Sequence, residues 1–323
     1  MPIKKACLLL CCLLLLAAGR ALAEEPVFRY RFADAEEAAG LMLANRDYYD
    51  NLTQTDLDFR LQKKGATLEE METFAAAQTR DFTKKEKAAV DRAMAKIERR
   101  ITECGYRLPP TDGIVFIKTT MKEECGAGAY THGTQVYLGK EILSYGTADS
   151  DFLQEFLDEM VAHELFHCLT RNHPDFRAAM YGILGFTVAA EDFVFSPEIR
   201  EAVISNPDVE HHNAYAAFEI GGEMKNCAVV VTAAQPFRKK GDSFFDSMEI
   251  GLVPVDGLDV IHAAEVAANF WDVFGRNTDY VIDPEESLAD NFAYTVLYGM
   301  DDVTYESPEI IEAMDAYLRR PRD

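Results

Sequence analysis

The chain has 323 residues, 48% of them hydrophobic and 11% aromatic, enough apolar material to fill one large domain or two packed lobes. Its 32 basic and 55 acidic residues give a formal net charge of -23. Such a field repels nucleic acid and anionic membranes and argues against both as partners.

Residues 1–23 read as a signal peptide: Lys4 and Lys5 precede an apolar stretch, 6–19, too short for a typical membrane span, and Ala21-Leu22-Ala23 is a small-x-small cleavage site before Glu24. Cys11 follows Leu10, which does not fit a lipoprotein signal. Cleavage predicts a secreted or periplasmic mature chain, 24–323, with no stable membrane association. Loss of Lys4, Lys5 and Arg20 leaves 29 basic against 55 acidic residues, a formal charge of -26. Cys104, Cys125, Cys168 and Cys227 remain. An even number in an exported chain permits two disulfides, with Cys104–Cys125 the favoured local pair, and there is no CxxC.

After a short extended start, residues 30–57 read as a polar helical lead-in anchored by Leu41, Leu43, Tyr48 and Tyr49. Residues 67–79 and 83–103, rich in Ala, Glu, Lys and Met, predict two helices. Thr83 and Glu86 match a capping box for the second, and Pro109-Pro110 stops it. Residues 113–119 (GIVFIKT) predict a strand, and the glycine-punctuated 125–130 leads to another, 132–138. Asp149 or Ser150 caps the next predicted helix, DFLQEFLDEMVAHELFHCLTR, which ends near Asn172-His173-Pro174. Helical pattern resumes from 174 to about 190. Residues 227–232 and 244–253 are strand-like, with Asp256-Gly257 a turn. Helices follow from Asp283-Pro284 through Tyr298 and over 307–318. No internal repeat or low-complexity linker marks off independent modules.

His163 and His167 stand four apart in a predicted helix, so both imidazoles project from one face. That spacing lets both bind one Zn²⁺, while Glu164 turns a carboxylate toward the water that zinc activates. Glu164 then takes the water's proton as general base and passes it to the leaving amine. The plainer alternative is a pair of helix histidines satisfied in a core or on a surface.

A catalytic zinc site needs a third protein ligand. In DPEESLADNFAY, Asp283 caps a helix, Pro284 fits its first position, and Glu286 and Asp290 fall four apart on one face. Glu286 is the favoured ligand, with Asp290 accepting a hydrogen bond from the far nitrogen of a ligand histidine. In a chain with 55 acidic residues such a pair also arises by chance, and acids at a helix start are ordinary placement. Glu285, Glu191 and His173 compete for the third position.

The HExxH residues resemble the zincin metallopeptidases, and Glu286-x-x-x-Asp290 resembles the acidic helix of the gluzincin type. The resemblance implies a mostly helical α+β fold with a small mixed sheet packed on the active-site helix. It implies His163, His167 and Glu286 as zinc ligands, Glu164 as base, and Asp290 as the residue that orients the first histidine. Residues 132–138 would be the half-exposed edge strand holding an extended peptide or protein substrate. His173 matches the metzincin spacing, but Thr170 stands where the turn glycine belongs, and neither Met180 nor Met224 makes a convincing methionine turn. A departure from compact gluzincins is the 118 residues between His167 and Glu286, which predict residues 175–282 as a large insertion or second lobe. Within it, His211, His212 and Tyr215 are the candidate oxyanion donors, and the adjacent histidines read equally well as exposed side chains or an adventitious metal patch. His132 reads as an edge-strand side chain, His262 as structural, and Phe270, Trp271 and Phe274 as packing. The resulting expectation is a secreted zinc metallopeptidase. A zinc amidase acting on a cell-envelope component and a catalytically silent zincin-like binding module are the alternatives, and the sequence does not set the oligomeric state.

Overall fold

Alternation along the apolar strands sorts their side chains onto two faces, and both faces are covered. The computed structural model describes residues 26–300 and 303–321, so the predicted leader lies outside the described residues. Strands β1 (Phe28–Phe32), β2 (Thr79–Arg80), β3 (Thr111–Thr119), β4 (Ala129–His132) and β5 (Gln135–Gly139) form one sheet in the order β1-β3-β5-β4, with β2 beside β3. β1, β3 and β5 run parallel, and β4 is antiparallel to β5. Ile114, Phe116, Val136 and Leu138 point into the main apolar core, whereas Val115, Ile117 and Tyr137 point into a second cluster. Helices α1 (Ala35–Leu43), α2 (Arg46–Tyr49), α3 (Gln54–Leu61) and α4 (Leu68–Ala76) cover the second cluster; α5 (Lys84–Cys104), α6 (Lys140–Thr147) and α7 (Asp151–Asn172) cover the main one. A sheet buried on both faces reads as nearly continuous apolar runs, as GIVFIKT does.

Local signals set several boundaries. Thr83 and Glu86 close the predicted capping box at the start of α5. The helix ends earlier than its prolines, at Gly105, whose φ of 68° is easy only for glycine. The lead-in is not one helix: β1 runs to Phe32 and three short helices follow, the third started by an unforeseen box at Thr53 and Asp56.

The chain continues through α8 (Pro174–Ile183), β6 (Thr187–Val188), α9 (Pro197–Ala202), β7 (Ala214–Ile220), β8 (Glu223–Ala233), β9 (Met248–Pro254), β10 (His262–Ala263), α10 (Phe270–Phe274), α11 (Pro284–Leu297) and α12 (Pro308–Leu318). β6–β10 form an antiparallel sheet in chain order. The helix predicted to about 190 stops at Ile183, and the strand predicted from 244 begins at Met248 after a 3₁₀ turn. β7 escaped the sequence reading because alanines dilute its alternation. Gly221 and Gly222, with φ of 65° and 82°, supply the two-residue hairpin joining it to β8. The second sheet falls inside residues 175–282, and its Phe218, Val229 and Leu252 share one apolar cluster with Leu165 and Phe166 of α7 and Phe292 of α11. Among the described residues no helix is long and apolar enough to cross a membrane.

The predicted Cys104–Cys125 disulfide is absent: all four described cysteines are free thiols. Cys104 ends α5 against the main core, whereas Cys125 packs on a different cluster around Phe59 and Phe244. Cys168 and Cys227 are fully buried and unpaired.

Glu123, fully buried in the 3₁₀ turn before β4, accepts a 3.3 Å hydrogen bond from the Tyr130 hydroxyl but leaves Oε2 without a partner. Burial pushes its pKa up from 4.5 to about 7. The folded state therefore holds a proton that the unfolded chain releases, and stability falls as pH rises through that window, levelling above it after a loss of roughly 3 kcal/mol. Glu123→Gln is expected to flatten this slope and to be the more stable protein at pH 8. Urea unfolding at pH 5 and pH 8 checks it, and equal slopes for the two proteins would count against it.

Candidate metal centre

Two helices from distant parts of the chain build the site. Ser150 starts α7 by accepting the Leu153 amide, and from Val161 to Thr170 every residue of that helix is buried. Asp283 starts α11 by accepting the Glu285 amide, with Pro284 in the first turn, and the helix is buried along most of its length. Small residues Ala289 and Ala293 sit in the same cluster as Leu165 and Leu169, and the Phe166 and Phe292 rings meet at 5.4 Å. This packing carries the first turn of α11, with Glu285 and Glu286, to the middle of α7. Both carboxylates lie at the positive end of a helix.

His163 Nε2 lies 3.1 Å from Glu286 Oε2, and His167 Nε2 lies 3.6 Å from the same oxygen. Donor atoms of the three residues all fall within 4.8 Å of one another. Behind them, His163 Nδ1 is 2.8 Å from Asp290 Oδ1 and His167 Nδ1 is 3.0 Å from Glu285 Oε1. Each carboxylate accepts the Nδ1–H, so the proton a cation would displace is the one on Nε2, the nitrogen of each ring that faces the cluster. His167 Nε2 is fully buried and has no hydrogen-bond partner. A buried polar atom left without a partner is costly unless another group binds it. Two imidazole nitrogens and one carboxylate are a donor set suited to Zn²⁺, so the residues present fit that ion.

The charge balance points the same way. Burial opposes charge on His163, but the hydrogen bonds it donates to the Asp290 and Glu286 carboxylates outweigh it and hold its pKa well above the usual imidazole value. For His167, burial is again outweighed, here by Asp208, Glu285 and Glu286, and the pKa rises to about 10. Burial pushes Glu286 up, yet the two imidazoles hold it far below the carboxylate range. The cluster thus attracts positive charge, and a divalent cation competes with protons for it.

Glu164, only 1% exposed, stands beside the cluster and accepts a 2.6 Å hydrogen bond from the Thr131 hydroxyl of β4. Burial raises its pKa. The structure therefore brings His163, Glu164, His167, Glu286 and Asp290 together. Glu285, weighed from sequence as a rival ligand, instead holds His167 from behind. Its own oxygens are fixed by the Tyr181 hydroxyl at 2.8 Å and by Thr170.

Other sequence-derived residues lie elsewhere. His173 Nε2 is 3.2 Å from Thr111 Oγ1 at the far end of α7. Ten residues of continuous helix carry it about 15 Å along the axis from His163, and Thr170 stays helical, so the chain does not turn back. Glu191 is exposed on the lining of a cavity of about 540 Å³ that Thr170, Arg177, Asp208 and Glu285 also border. His211 borders that cavity too, exposed and 3.0 Å from Asp192. His212 packs its ring against Phe195, and burial lowers its pKa. Tyr215 sits in β7 opposite Thr187. Neither histidine of the pair hydrogen-bonds His163, Glu164, His167 or Glu286 among the described residues. The predicted edge strand 132–138 is corrected: most of it is β5, interior between β3 and β4, and β4 is the true edge. His132 is buried against Tyr48 and Tyr130, not half exposed.

Three contributors had no sequence signal: Thr131, Asp208 and Tyr280. The Tyr280 ring lies 6.3 Å from the His163 ring. Desolvation, with Glu286, Asp208, Asp290 and Glu164 nearby, holds its pKa well above the usual phenol value, although the residue as a whole is 43% exposed. Compared with protein-family models, curated proteins and solved structures, the chain matches none, so its functional reading rests on the chemistry of this centre.

Proposed function

We propose that the protein is a zinc-dependent peptidase of the gluzincin type, with His163, His167 and Glu286 as metal ligands. The observation that carries this reading is the convergence of the two Nε2 atoms with the Glu286 carboxylate, where His167 Nε2 is buried and otherwise unpartnered. A helix bearing HExxH beneath a mixed sheet, with the acidic helix packed across it, supports the same assignment.

When bound, Zn²⁺ supplies a Lewis acid that polarises an amide carbonyl and lowers the pKa of water. The remaining work belongs to the chain. Asp290 and Glu285 hold both imidazoles in the ligating tautomer. Glu164, oriented by Thr131, removes a proton as the water oxygen bonds to the carbonyl carbon. It returns that proton to the nitrogen as the C–N bond breaks, giving an amine and a carboxylic acid whose remaining proton passes to the amine or to solvent. Tyr280, kept protonated among carboxylates, donates its O–H to the oxygen on which charge develops. His211 and His212, the donors expected from sequence, give way to Tyr280 in this role.

The substrate class is an unfolded peptide or protein segment. Hydrolysis of a peptide library by the chain 24–323 should be lost on chelation and restored by added Zn²⁺, followed by mass spectrometry. A zinc-loaded protein that cleaves no peptide, yet releases an amine from cell-envelope material, would transfer the chemistry to the amidase alternative.

A further inference from the structure

Residues 205–210 lie across the metal centre and are fastened at both ends. At one end the Ser205 amide and hydroxyl donate to Asp56 at 3.0 and 2.8 Å, and the Ser205 carbonyl accepts from Arg60 at 2.8 Å. Arg60 is itself buried, paired with Asp56 and Glu124. At the other end Arg171 donates to the Pro207 carbonyl at 2.8 Å and pairs with Glu210 at 3.5 Å. Between these anchors Asn206 donates to the free oxygen of Glu286, and its own Oδ1 accepts the Asp208 amide at 3.0 Å.

This segment places Asp208, 6% exposed, with Oδ1 4.0 Å from His167 Nε2, the orphaned nitrogen. Donor atoms of Glu164, His167 and Asp208 also fall within 4.8 Å of one another. The two candidate triads share His167, so they are two sides of one centre. Asp208 Oδ1 further accepts the Thr131 amide at 2.6 Å, on the open edge of β4, while Arg171 occupies the Thr131 carbonyl. The backbone groups that an extended substrate would pair with on this edge are therefore engaged by the chain itself.

We propose that Asp208 is the fourth protein donor of the metal centre, closing the position that a substrate needs until residues 205–210 move aside. The inference rests on the reading of His163, His167 and Glu286 as ligands. The His-His-Glu set alone would leave one open position, and a buried carboxylate 4.0 Å from one of the ligand nitrogens is a group that could close it. Substrate would then enter by displacing this strap, and hydrolysis by the same chain would proceed through the displaced form.

The test uses Co²⁺ in the chain 24–323, with visible and near-ultraviolet absorption as the readout. Asp208→Asn is expected to alter the Co²⁺ spectrum, and to weaken metal affinity on the order of 10- to 100-fold, at least the effect of removing a group behind a ligand. Asp208→Cys is expected to add a thiolate-to-Co²⁺ charge-transfer band that the wild type, whose four thiols lie elsewhere, does not show. The band tests ligation even if the Asn variant folds poorly. Spectra and affinity unchanged in Asp208→Asn, with no charge-transfer band in Asp208→Cys, would overturn the proposal and leave the three-ligand reading standing. A wild type that takes up no Co²⁺ would overturn both.

Discussion

Replacing Glu164 by Gln is expected to lower peptide hydrolysis by roughly 10²- to 10⁴-fold while bound zinc stays at the wild-type level. The amide keeps the size and the Thr131 hydrogen bond of the carboxylate, so neither the fold of α7 nor the ligands at His163 and His167 should change. What is lost is the group that accepts a proton from water. Metal content by atomic emission and initial rates on one cleaved peptide decide the matter together. Loss of both metal and rate would make Glu164 a ligand, and an unchanged rate would remove it from the chemistry.

The second large effect separates the competing ligand sets. Glu286→Ala should lose zinc, with affinity falling on the order of 100-fold or more, because two imidazoles remain and the cation no longer meets a carboxylate. His173→Ala should keep both metal and rate within about twofold of wild type, since its ring bonds Thr111 beyond the far turn of the helix. The two variants are informative as a pair. Metal loss confined to His173→Ala would reverse the ligand assignment, whereas loss in neither would remove both Glu286 and His173 from the ligand set. Glu285 predicts a milder result than Glu286, since its oxygens face His167 Nδ1, Tyr181 and Thr170 instead of the donor cluster.

The helices were legible because their signals are local. Thr83 with Glu86, Ser150, and Asp283 before Pro284 each announce a helix start within four residues, and the structure starts α5, α7 and α11 there. The i, i+4 pairs His163/His167 and Glu286/Asp290 were legible for the same reason, since a helix fixes which side chains share a face. Bringing the two pairs together depended on the packing of α7 against α11, which no spacing encodes. The task of Glu285 was hidden by its neighbour: adjacent residues on a helix diverge by about 100°, and only the position of His167 tells which acid faces Nε2 and which faces Nδ1. Thr131, Asp208 and Tyr280 come from a strand and two irregular segments, where function has no periodic signature. The Cys104–Cys125 pairing failed because nearness along the chain was read as nearness in space, although Cys104 packs on the main core and Cys125 on the separate cluster around Phe59 and Phe244.

The strap formed by residues 205–210 and the hydrolytic reading share one premise, a cation bound at the junction of α7 and α11. Anomalous diffraction from crystals of the zinc-loaded chain, recorded on both sides of the zinc absorption edge, tests that premise most directly. The account predicts one peak bonded to His163 Nε2, His167 Nε2 and the Glu286 carboxylate at about 2.0–2.2 Å. A peak bonded to other residues, or no peak in zinc-loaded crystals, would contradict it.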